Sequence, residues 1–110
     1  MSWIDLGALT AFPERGARCV RIGGTTIAVF RTSTDEVFAL RDQCPHRGGP
    51  LSQGIVHGTR VTCPLHDWVI DLSTGSATGA DEGSTETFKV RVVDGRVALE
   101  LSAELLAKAS

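Results

Sequence analysis

The sequence predicts an all-β fold, an antiparallel sandwich or small barrel, on three observations. Short apolar runs alternate with polar residues at a period of two. Glycine-rich turns separate these runs at short intervals. Helical character is confined to the tail, residues 102–108, where Ser102 is placed to cap, Glu104 suits the first turn and Lys108 the last.

The elements follow in order. Arg18-Cys19-Val20-Arg21-Ile22 alternates, with Cys19 expected to face the core, and Gly23-Gly24 reads as a hairpin turn into Thr25-Thr26-Ile27-Ala28-Val29-Phe30. A polar turn over 32–36 precedes a short strand, Val37-Phe38-Ala39-Leu40. Ile55-Val56-His57 and Arg60-Val61-Thr62 flank Gly58-Thr59 as a small hairpin. Trp68-Val69-Ile70-Asp71 is a strand that ends at the turn Ser73-Thr74-Gly75. Phe88-Lys89-Val90-Arg91-Val92 alternates as one strand, Asp94-Gly95 is a strong two-residue hairpin signal, and Arg96-Val97-Ala98-Leu99-Glu100-Leu101 returns.

The 110 residues predict one domain, 1–110, able to bury a modest core. A hydrophobic fraction of 42% with 22% charged residues excludes a disordered chain. A formal charge of −2 with scattered Lys and Arg excludes nucleic acid as a partner. No apolar stretch approaches the ~20 residues of a membrane span, and residues 1–6 show no secretory signal. The expectation is a soluble cytoplasmic protein with no membrane partner. Three cysteines, an odd number, fit a reducing compartment better than a disulfide scaffold.

Residues 43–71 stand apart, rich in Gly, Pro, Cys and His, and read as an insertion that builds a site on a β base. Two mirrored loops, Cys44-Pro45-His46 and Cys63-Pro64-Leu65-His66, each offer one thiolate and one imidazole across the sixteen residues 47–62. Such donors suit a two-iron, two-sulfide cluster with both Cys on one iron and both His on the other. Pro45 and Pro64 fix the backbone after each Cys, and Gly48 and Gly49 leave room for backbone N–H groups to approach the sulfides. The alternative is a structural zinc-binding interaction module, although zinc sites more typically pair Cys with Cys and His with His. No Cys-x-x-Cys redox pair exists.

Cys44-x-His46 and Cys63-x-x-His66 at this separation resemble the Rieske [2Fe–2S] motif. The resemblance implies a three-sheet antiparallel β fold with an inserted cluster-binding subdomain, one cluster per chain held by Cys44, His46, Cys63 and His66, and an electron-transfer function. High-potential relatives carry an extra Cys in each loop and hydroxyl donors after the second. Here Gly49, Leu65, Trp68 and Ile70 stand at those places. With fewer donors to sulfur the potential is expected at the low end of the Rieske range, about −150 mV.

The segments 46–54, 63–71 and 78–83 resemble the small subunit of assimilatory NAD(P)H nitrite reductase. That resemblance implies a large flavin- and sirohaem-containing subunit as partner, in the reduction of nitrite to ammonia. The alternative is a free Rieske ferredoxin that supplies an aromatic-ring dioxygenase. No catalytic site is expected on this chain. Rieske oxygenases add a mononuclear iron held by two His and a carboxylate, and His57 is the one His left once the cluster takes its ligands. His57 reads as a hairpin residue, Trp68 as core that also shields the cluster, and Arg47, Asp81 and Glu82 as polar surface or partner contacts.

Overall fold

The computed structural model of the chain describes residues 2–22, 24–43, 50–64, 67–78 and 83–101. Among them lie β1 (Ser2–Ala8), β2 (Gly16–Ile22), β3 (Thr25–Arg31), β4 (Val37–Arg41), β5 (Ile55–His57), β6 (Arg60–Thr62), β7 (Val69–Asp71), β8 (Thr87–Phe88), β9 (Val90–Val93) and β10 (Arg96–Leu101). They pair antiparallel into three sheets, ordered β1-β10-β9, β2-β3-β4-β8 and β5-β6-β7. The all-β, three-sheet architecture is the expected one. The expected C-terminal helix, 102–108, lies outside the described residues.

β3 organises the molecule. Ile27, Ala28, Val29 and Phe30 are consecutive and all buried. Side chains alternate across a strand, so Ile27 and Val29 enter one core with Phe12, Ala39, Val97 and Leu99. Ala28 and Phe30 enter the other, with Leu40, Leu51, Val56, Val61, Cys63, Ile70 and Leu72. The sheet containing β3 is therefore covered on both faces, by β1-β10-β9 on one side and β5-β6-β7 on the other.

Turn chemistry sets the registers. Asp94 and Gly95 have φ of 52° and 75°, the doubly positive geometry whose twist matches a tight hairpin, and Arg96 pairs with Val93 across it. In the turn after β3, Thr32 Oγ1 accepts from the N–H groups of Thr34 and Glu36. Arg31 closes this turn from outside through Nη2 and Nε to Asp35 Oδ1, at 2.8 and 3.0 Å.

Three readings need correction or addition. Strand β1 carries no clean period-two pattern, because its register with β10 shifts between Asp5 and Gly7, and a bulge of this kind puts neighbouring residues out of phase. The run 88–92 is two strands, not one. β8 pairs with β4 and β9 with β10, and the chain crosses between sheets at Lys89, whose carbonyl accepts from Glu100 N–H at 2.9 Å. Phe88 and Val90 still pack against the same core, so alternation continues through the change of partner. Cys19 is exposed and does not face the core. Val20 and Ile22 take the inward positions of β2 instead.

Candidate metal centre

The first loop leaves the end of β4 and returns at a short 3-10 turn, Leu51–Gln53. Its entry is anchored by backbone bonds: Asp42 N–H donates to the Thr26 carbonyl at 2.9 Å, and Gln43 N–H to the Arg41 carbonyl at 2.7 Å. The Asp42 carboxylate then spans the loop. Oδ1 accepts from Ser52 N–H at 2.7 Å, and Oδ2 accepts from the Ser52 hydroxyl at 2.8 Å. Leu51 beside it is fully buried and holds the return in the core.

Gly54 then passes close to the strand that leads into the second loop. A side chain there would overlap the Thr62 carbonyl and crowd Val61, so the backbones meet where only glycine fits. The hairpin β5-β6 follows, with Ile55 opposite Thr62 and His57 opposite Arg60. His57 is exposed, and its Nε2 lies 2.8 Å from Thr62 Oγ1. It is a hairpin residue, as read from the sequence.

Cys63 follows β6 directly. Its N–H donates to the Trp68 carbonyl at 2.7 Å, and its own carbonyl accepts from Asp67 N–H at 3.1 Å. These bonds bring Cys63 together with Asp67 and Trp68 on the far side of the second loop. Asp67 has φ of 57°, a left-handed conformation that Asp tolerates better than most residues. β7 then pairs back onto β6, with Thr62 opposite Val69 and Val61 opposite Ile70. Trp68 is half-buried and packs against the core that contains Cys63.

The Cys63 side chain is 1% exposed and makes no disulfide. A soft sulfur donor held in this way at the edge of an apolar core is of the type that suits an iron ligand. Cys44, His46 and His66 lie outside the described residues, as do Arg47, Gly48, Gly49, Leu65, Asp81 and Glu82.

Sequence reasoning missed Asp42, Ser52 and Gly54. The one signal for them was their position flanking the first loop, since a carboxylate and a hydroxyl ten residues apart form no recognisable motif. Cys19 adds a further contact, its thiol 3.5 Å from Asp42 Oδ2. Although solvent reaches Cys19, the surrounding protein strips enough water from the thiol to raise its pKa above the ordinary value, against a lowering by Ser52.

Residues 2–100 match the family of Rieske-like [2Fe-2S] domains. The chain is 40% identical over 96 residues to the anthranilate 1,2-dioxygenase ferredoxin subunit of Burkholderia cepacia, covering 86% of this chain and 88% of that one. Over 66 residues it is 42% identical to the oxygenase component of 3-ketosteroid-9-alpha-monooxygenase from Mycolicibacterium smegmatis, of which it spans 17%. Among solved structures, one from a complex of oxygenase and ferredoxin in carbazole 1,9a-dioxygenase superposes with a TM-score of 0.77 at 26% identity, covering 91% of this chain and 97% of that one. A protein described as a nitrite reductase NADPH small subunit superposes with a TM-score of 0.80 at 25% identity, covering 92% and 100%. Such a family implies a two-iron cluster, which displaces the zinc alternative. The chain belongs to the Rieske-like [2Fe-2S] domain family, as a ferredoxin-type electron carrier with one cluster per chain.

Proposed function

We propose that Cys44, His46, Cys63 and His66 hold the cluster, the two thiolates on one iron and the two imidazoles on the other. The buried Cys63 thiol, with the backbone bonds from Cys63 to Asp67 and Trp68, is the observation that carries this assignment. Residues 43–71 then form a cluster-binding subdomain inserted in a β base, within one domain over 1–110. The bound cluster supplies one-electron chemistry, and the chain's own residues hold it, exclude water from its thiolate side and present it to a partner.

The partner favoured by similarity is the oxygenase component of a ring-hydroxylating dioxygenase. Sequence identity to a dioxygenase ferredoxin reaches 40% over most of both chains, while the superposed structures give similar identities for the two classes, 26% for the carbazole dioxygenase chain and 25% for the nitrite reductase subunit. The second reading keeps the small-subunit role in NAD(P)H nitrite reductase, supported by the resemblance of segments 46–54 and 63–71 and by the superposition over 92% of the chain.

Rapid mixing of the reduced protein with each partner class separates the two. Reoxidation by a Rieske oxygenase component, coupled to product formation on an aromatic acid, is the expected result. Reoxidation by a sirohaem-containing large subunit alone, coupled to loss of nitrite, transfers the assignment to the second reading.

A further inference from the structure

We propose that Asp42 is a positioning residue for the cluster, acting through Ser52 to set the loop that carries Cys44 and His46. The inference rests on the ligand assignment above and adds residues which that assignment does not contain. Asp42 stands two residues before Cys44 and Ser52 six residues after His46. The carboxylate takes two short hydrogen bonds from one residue, 2.7 Å from Ser52 N–H and 2.8 Å from its hydroxyl. A charged acceptor with two donors is among the stronger hydrogen-bonding arrangements. It ties together Asp42 and Ser52, one on each side of the loop.

Both ends of this clasp are fixed to rigid parts of the fold. Asp42 is bonded through its N–H to the Thr26 carbonyl on β3. Ser52 sits between the fully buried Leu51 and Gln53, whose N–H donates to the Pro50 carbonyl at 3.0 Å. The next contact along the chain is Gly54 against Thr62, the residue before Cys63. The clasp therefore relates the first loop to the second through a path of direct contacts. Groups that orient metal ligands without touching the metal commonly matter 10–100-fold for affinity.

The test uses the holoprotein and three variants: Asp42→Ala, Asp42→Asn and Ser52→Ala. Cluster loss to an iron chelator is timed from visible absorption, and the reduced cluster is examined by electron paramagnetic resonance. Asp42→Ala is expected to shorten the lifetime of the cluster about tenfold or more and to shift the resonance. Asp42→Asn retains one acceptor oxygen and recovers part of the lifetime. Ser52→Ala keeps the backbone bond and falls between Asp42→Asn and the wild type. Should Asp42→Ala not fold, the other two variants decide.

Wild-type lifetime and resonance in Asp42→Asn and Ser52→Ala overturn the clasp while leaving the four-ligand assignment intact. A wild-type protein without the mixed-ligand signature overturns the assignment itself, and the clasp with it.

Discussion

The sheet built on β3 and the small sheet β5-β6-β7 share a core but stand on different terms. β3 has seven residues and apolar cover on both faces. The strands of the small sheet have three residues each, and one face is turned outward, with Ile55 71% exposed and His57 and Arg60 exposed as well. Its inner side chains, Val56, Val61 and Ile70, rest on Phe30 and Leu40 of the larger sheet. A three-stranded piece of that size is marginal alone. The large sheet is thus covered from both sides, whereas the small one is supported from one side, by that sheet, and by whatever closes its loops.

Replacing a single proposed ligand is the sharpest way to separate the two regions. Cys63→Ser is expected to abolish visible absorption and electron transfer while the far-ultraviolet circular dichroism of the larger sheets persists. Collapse of the whole spectrum would show that the base also depends on the cluster.

Phe30→Ala attacks the shared support. Phe30 is fully buried beneath the small sheet, and the substitution is expected to cost about 3–5 kcal/mol, read from urea unfolding. A cost under about 1 kcal/mol would mean that the two sheets do not rest on each other as described.

Gly54→Ala tests the point where the loops approach. Overlap with the Thr62 carbonyl is expected to cost about 1–3 kcal/mol. It should also speed cluster loss more than Val29→Ala does, because Val29 lies in the opposite core. Equal rates of cluster loss in the two variants would contradict a local role for Gly54.

The smallest effect is expected from pH at the end of β7. The Ser73 hydroxyl, with the Ser73 N–H, holds the Asp71 carboxyl below its ordinary value of 3.8. The depressed folded pKa means that the stabilisation is complete above the ordinary value and is lost as pH falls through the folded one. Asp71→Asn should therefore reduce stability near neutral pH slightly and flatten the acid limb of the profile, measured by urea melts from pH 7 to pH 3. An unchanged acid limb would remove Asp71 from the account.

Legibility in the sequence followed the same division. β3 and the β9-β10 hairpin were plain because four consecutive apolar residues, Ile27 to Phe30, and the Asp94-Gly95 turn have few other uses. β1 was hidden by its bulge, and the change of sheet at Lys89 was hidden because Phe88 and Val90 keep the alternation while their partners change. The four proposed metal donors were picked out by chemistry and spacing, and of them the described residues include Cys63 alone. Asp42, Ser52 and Gly54 could not be picked out in this way, since their roles come from contacts made across the loop. Cys19 shows the limit of alternation from the other side: on β2, an edge strand, period two assigns a face but does not ensure that the face is covered.

In a Rieske-type electron carrier with Trp68 and Ile70 after the second loop, the cluster gains no hydroxyl donor from those two positions. Ile70 is fully buried, and Trp68 packs against the core that holds Cys63. A redox titration of the holoprotein, followed by paramagnetic resonance of the reduced cluster, tests this most directly. A single one-electron step near the low end of the Rieske range, about −150 mV, is the expected result. A midpoint above roughly +100 mV on that scale, or a colourless protein with no resonance on reduction, would contradict it.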